Sequence, residues 1–141
     1  METAVVLVVE SEALIRVSAI HIVEDAGYTA LGASTADEAI AILNGRRDIR
    51  AVFTGVRMPG TMDGMGLAHA IRRRWPPIQL LVTSGLSLAP DTEFPPNWRF
   101  LLKPYTAEHV TEALRDLLGS HPSPLRLIAG GGGNCGKVAR G

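Results

Sequence analysis

Ala4-Val5-Val6-Leu7-Val8-Val9-Glu10-Ser11-Glu12 opens with six apolar residues, four of them valine, and breaks off into three polar ones. A continuous apolar run of that length, ended by polar residues, predicts a strand buried on both faces. Two further runs have the same character, Ala51-Val52-Phe53-Thr54 and Ile78-Gln79-Leu80-Leu81-Val82-Thr83. Tyr28–Leu31 and Trp98–Leu102 are weaker candidates for two more strands. Strands covered on both sides belong to parallel sheets, so helices are expected between them.

Helical spacing is present in each interval. Leu14, Val17, Ile20 or His21, and Val23 recur every three to four residues, and Gly27 stops that helix. Thr35-Ala36-Asp37-Glu38 is a capping-box pattern that starts a second helix, ended by Gly45. A third spans about Gly64–Arg74 and closes at Pro76-Pro77; a last covers about Ala107–Leu118, with Thr106 as its N-cap. Leu86–Asn97 breaks the rhythm: Pro90, Pro95 and Pro96 predict a loop or one helical turn there. The alternation predicts an α/β fold, a doubly wound five-stranded parallel sheet in three layers, with the helix between strands 4 and 5 shortened or missing. In such sheets the functional crevice lies beyond the carboxyl ends of the strands. Glu10-Ser11-Glu12, Gly55-Val56-Arg57, Thr83-Ser84-Gly85 and Lys103-Pro104 are therefore the segments to weigh.

The chain of 141 residues has room for one domain, predicted over residues 1–119, and a flexible Gly-rich tail over 120–141. Lysines plus arginines equal aspartates plus glutamates at 14 each, so no overall field recruits nucleic acid or an anionic membrane. The tail holds Arg126, Lys137 and Arg140 and no acid, a weak local bias. The lone Cys135 offers no disulfide and no metal knot, which suits a reducing compartment. Ala4–Val9 is too short to span a bilayer and lacks the basic flank of a signal peptide. A cytoplasmic location, with no membrane and no nucleic acid as partners, is the expectation.

The motifs at the strand ends resemble a response-regulator receiver domain of two-component signalling. Val6-Leu-Val-Val-Glu-Ser-Glu12-Ala-Leu-Ile-Arg16 is similar to that family's opening. Val52-Phe-Thr-Gly55-Val-Arg-Met58-Pro59-Gly60 with Met62-Asp63-Gly64 is similar to its third strand and following loop. Leu81-Val-Thr83-Ser-Gly85 and Phe100-Leu-Leu-Lys103-Pro104-Tyr105 match its fourth and fifth strands. The match covers about residues 4–118, in order and at the right spacing. It implies a flavodoxin-like sandwich and a phosphorelay, in which a histidine kinase phosphorylates an aspartate at the end of the third strand with Mg²⁺ bound beside it. Transferred position by position, Glu10 and Ser11 stand for the acidic pair, Gly55 for the acceptor, and Arg57 for the backbone carbonyl on the metal. Thr83 then stands for the phosphoryl-binding hydroxyl, Lys103 for the lysine, and Phe100 for the mobile switch aromatic. A cis Lys103-Pro104 bond is also implied, although an ordinary trans turn is equally compatible with the local sequence.

Two positions depart from the pattern. Gly55 has no side chain, so the nucleophile of an acyl phosphate is absent. Ser11 replaces a carboxylate and leaves Glu10 alone, balanced by Lys103. Mg²⁺ takes hard oxygen ligands, one or two of them carboxylates, so no cofactor is expected. Thr54 is next to Gly55, but strand alternation turns it to the opposite face. Asp63 lies eight positions downstream. Lys103 is expected to pair with Glu10, either to fix the pocket or as a leftover exposed salt bridge.

The remaining signals have plain readings. Gly131–Lys137 fits G-x-x-x-x-G-K, but Val138 replaces the required Ser or Thr, so the match is a coincidence of a Gly-rich tail. Arg72-Arg73-Arg74 suits the negative end of a helix dipole; a docking patch is the alternative. Trp75 and Trp98 are expected to pack under loops, and His21, His69 and His109 stand singly. The expectation is a pseudo-receiver that is not an enzyme and acts by protein–protein interaction with a histidine kinase, a phosphotransfer protein or a second copy of itself. The rival readings are a receiver phosphorylated elsewhere, at Asp63 or a hydroxyl, and a sensor that admits an anion at Gly55 beside Lys103 and Thr83.

Overall fold

The computed structural model describes residues 4–56, 62–84 and 97–118. Five strands, β1 (Val5–Val9), β2 (Thr29–Ala33), β3 (Ile49–Gly55), β4 (Gln79–Ser84) and β5 (Trp98–Leu102), alternate with α1 (Ala13–Asp25), α2 (Ala36–Gly45), α3 (Gly64–Arg74) and α4 (Ala107–Leu118). The strands pair in the order β2-β1-β3-β4-β5, every pair parallel. The predicted doubly wound α/β fold is therefore the observed one. The segment between β4 and β5, apart from Asn97, lies outside the described residues, as do Arg57 and the tail with Cys135.

Strand alternation sorts the core into two layers. Leu7, Val9, Val52, Leu80 and Val82 face one way and pack with Leu43, Leu67 and Ile71 of α2 and α3. Val6, Val8, Ala51, Phe53 and Leu81 face the other way, onto Ala19 and Val23 of α1 and Val110, Ala113 and Leu114 of α4. The central strands β1, β3 and β4 bury nearly every side chain, which is why their sequences are apolar without a period of two.

The helix ends follow local chemistry. Thr35 Oγ1 accepts from the Glu38 amide at 3.0 Å, as the capping box requires, but the Glu38 carboxylate accepts from the Ser34 amide and hydroxyl at 2.8 and 2.9 Å. Thr106 caps α4 by accepting from the His109 amide, and His109 Nδ1 accepts from the Thr106 amide. Gly27, just past α1, has φ +102°, a conformation that glycine adopts without strain.

The packing of α1 refines the sequence reading, and the expectation for Trp98 needs correction. On α1 the core face is Ala19 and Val23, flanked by half-buried Ile20 and Ile22, whereas Leu14 is 85% exposed and Val17 48%. Apolar residues occur almost all round this helix, so spacing alone does not select a face, and the small Ala19 is what lets the helix approach the sheet. Trp98 lies within β5 and is buried in the core, with the His69 ring 5.4 Å away, rather than under a loop.

Candidate functional site

The carboxyl ends of β1, β3 and β4 meet in one small cavity. Val9, Glu10, Phe53, Thr54, Gly55 and Thr83 line it from the strands, with Ile15 and Ala19 from α1 and Tyr105 from the turn before α4. Its volume of about 10 Å³ is room for roughly one water. Gly55 and Thr83 are register partners across β3 and β4, and the Thr83 carbonyl accepts from the Val56 amide at 2.8 Å. Three sequence-predicted residues, Glu10, Gly55 and Thr83, are thus brought together.

Glu10 is held from both its ends. Its carboxylate Oε2 accepts from the Glu12 amide at 3.0 Å, which satisfies a free amide at the start of α1. Its carbonyl accepts from Arg16 Nη1 at 2.8 Å. Ser11 is half-buried beside it and supplies a hydroxyl where a second carboxylate would stand.

Two predicted residues lie elsewhere. Lys103 is exposed, does not line the cavity and makes no ion pair among the described residues, so the expected Lys103–Glu10 pair is not formed. Its preceding strand ends at the exposed Leu102, and a four-carbon side chain there is solvated more cheaply than it is buried. Phe100 is half-buried against the α2–α3 layer. Thr54, expected to face away from the site, is buried and also lines the cavity, and its hydroxyl donates to the Gly55 carbonyl at 3.1 Å. Lys103-Pro104 is cis.

Tyr105 is the lining residue that sequence reasoning missed. Its ring tilts against Phe53 with 5.9 Å between centroids. Burial raises the phenol pKa above its ordinary value, and the nearby Glu10 carboxylate raises it further. An aromatic residue directly after Lys-Pro was the available signal, but a single residue in a turn has no periodicity to flag it.

Asp63, the alternative acceptor, is committed to structure. It is the N-cap of α3, and its Oδ1 accepts from the Gly66 amide at 2.8 Å. Nor does the donor set at the strand ends fit Mg²⁺. Glu10, the one carboxylate among the cavity's lining residues, already accepts a backbone hydrogen bond, Ser11 offers a neutral hydroxyl and Gly55 has no side chain.

The model of the response regulator receiver domain matches residues 6–115. Among curated proteins, the chain is 32% identical over 116 residues to the hydrogenase transcriptional regulatory protein HoxA of Cupriavidus necator, covering 79% of this chain and 23% of that one. It is 31% identical over 126 residues to the sensor kinase CckA of Brucella abortus, covering 82% and 13%. The chain therefore spans less than a quarter of the length of either relative. A solved receiver protein from Pseudomonas putida superposes with a TM-score of 0.69 at 26% identity, over 82% of this chain and 98% of that one. The receiver domain of the hybrid histidine kinase CckA gives 0.68 at 26% identity, over 82% and 99%. Fold, strand-end motifs and similarity agree: the chain belongs to the response regulator receiver domain family of two-component signalling.

Proposed function

We propose that this receiver domain works as a pseudo-receiver, engaging a signalling partner without being phosphorylated on aspartate and without Mg²⁺. The observation behind the proposal is Gly55: at the end of β3, beside Thr83 and Glu10, the acceptor position carries no atom able to form an acyl phosphate. Asp63 is engaged as a helix cap, which weighs against it as a substitute nucleophile.

The partner-facing surface is α1. Leu14 and Val17, one turn apart, are exposed, and Ile15 between them reaches the cavity lining. An apolar stripe next to the strand ends suits a helical partner such as the phosphorylatable helix pair of a histidine kinase or a phosphotransfer protein, recognised by its apolar face.

The test is intact-mass spectrometry after incubation with acetyl phosphate and Mg²⁺, with Gly55→Asp in parallel. The wild type is expected to gain no phosphoryl group. A Mg²⁺-dependent adduct on the wild type would overturn the proposal, and mapping it would start at Asp63.

A further inference from the structure

Far from the strand-end cavity, α2 and α3 finish at the amino-terminal edge of the sheet, where β3 begins. Two stretches of sequence more than twenty residues apart place six arginines there: Arg46, Arg47 and Arg50, then Arg72, Arg73 and Arg74, all exposed. The two helix ends are joined by a hydrogen bond from Arg74 Nη2 to Asn44 Oδ1 at 2.8 Å. The one acid within these stretches is Asp48, and Arg46 occupies both its oxygens, at 2.9 and 2.6 Å. Arg74 lies over the Trp75 ring at 4.4 Å. Arg47, Arg50, Arg72 and Arg73 have no ion-pair partner among the described residues. Glu24 and Asp25, at the end of α1, belong to the opposite layer of the sandwich.

The helix dipole does not account for this cluster. It favours a cation in the last turn of α3, but Arg47 and Arg50 lie outside any helix. The acids at the opposite edge, in contrast, have local work: Glu10, Glu38 and Asp63 each accept a backbone amide. Four guanidinium groups without an ion pair gather at the arginine edge, whereas the exposed Lys103 stands singly at the other end of the sheet, and the planar fork of a guanidinium matches a carboxylate with two parallel hydrogen bonds.

We propose that this arginine edge docks a short carboxylate-rich segment of a partner protein, at a surface separate from α1. A nucleic acid fits less well on two counts. Arg74 covers a face of the half-buried Trp75, which removes a stacking platform for bases. The chain has zero formal charge and acids at its other end, so a long polyanion would meet repulsion beyond the patch.

Fluorescence anisotropy of the full chain with a labelled octaglutamate peptide tests the proposal, with octauridylate RNA as the rival probe, at about 50 and about 200 mM NaCl. The peptide is expected to bind, more weakly at the higher salt. Arg47→Glu/Arg72→Glu/Arg73→Glu is expected to weaken binding by about tenfold or more, and Arg115→Glu, on α4, to leave it unchanged. The neutral triple variant to Gln, checked by its thermal melt, should show an intermediate loss and separates lost charge from lost fold. Absence of peptide binding at the lower salt would overturn the proposal, as would an equal loss in Arg115→Glu or tighter binding of the RNA.

Discussion

Gly64 rests its backbone on that of Gly55: a Cβ added to Gly64 would lie 1.5 Å from the Gly55 carbonyl oxygen. The Gly64 amide also donates to the Val56 carbonyl at 2.9 Å, so the start of α3 is drawn onto the end of β3. Only a hydrogen fits there. Gly64→Ala is expected to destabilise the fold by about 3 kcal/mol, the upper part of the range for overpacking, because backbone must move. Gly66→Ala is the control. Its added Cβ would meet the Met62 side chain at 2.9 Å, which can swing aside, and helix propensity offsets the contact to within about 1 kcal/mol. Urea midpoints that fall equally for both variants would refute the close-approach argument.

The cap of α2 predicts an acid-sensitive contribution to stability. Hydrogen bonds from the Ser34 amide, then from its hydroxyl, hold the Glu38 carboxyl below its ordinary value of 4.5. A carboxyl with a lowered folded pKa stabilises the native state above its unfolded value, and that stability is lost as pH falls through the folded value. Glu38→Gln should therefore melt below the wild type at neutral pH, and the gap should narrow as the pH falls through the lowered folded value. Thr35→Ala should cost about 1 kcal/mol at either pH, since a hydroxyl cap does not titrate. A gap for Glu38→Gln that persists in acid would show that its carboxylate hydrogen bonds are not the source.

Tyr105 predicts a signal at the other end of the scale. Burial and then the Glu10 charge raise its phenol above 10.0, while Tyr28 is raised by burial and eased back by Arg115. A raised folded pKa means stability that is intact below pH 10 and lost as pH rises through the folded value. In Tyr28→Phe, near-ultraviolet titration should give one phenol with a midpoint above 10, and Glu10→Gln should lower it. A midpoint at or below 10 in Tyr28→Phe would place Tyr105 in water rather than in the cavity.

The strands were legible because β1, β3 and β4 are buried on both faces, a condition that writes itself into sequence as unbroken apolar runs. The strand-end motifs located Glu10, Gly55 and Thr83 together for the same reason: register in a parallel sheet aligns the residues that follow each strand. Other features depend on packing that no local pattern encodes. Leu14 and Val17 have helical spacing, yet Ala19 and Val23 take the core because a small side chain permits close approach to the sheet. Lys103 sits where its motif puts it, but a long exposed side chain is free to choose solvent over Glu10. The arginine edge was half visible as Arg72-Arg73-Arg74; its other half, Arg46 to Arg50, joins it only when α2 and α3 end side by side.

The donor set at the strand ends yields the last prediction. On the proposed pseudo-receiver reading, the one carboxylate that Glu10, Ser11 and Gly55 hold between them does not bind Mg²⁺ in competition with its water shell. The wild-type melting temperature is therefore expected to be the same in EDTA and in millimolar Mg²⁺. Ser11→Asp/Gly55→Asp would place three carboxylates at one end of the sheet. Without metal their repulsion should lower the melting temperature below that of the wild type. Adding Mg²⁺ should then restore it, since a ligand bound only by the native state stabilises by about 2.7 kcal/mol at a hundredfold excess over its dissociation constant. Gly55→Asp alone should respond less, because Ser11 still withholds a ligand. A wild type stabilised by Mg²⁺ as much as the double variant would mean that the cation binds elsewhere on the chain, and the account of Ser11 and Gly55 as the two missing donors would fail.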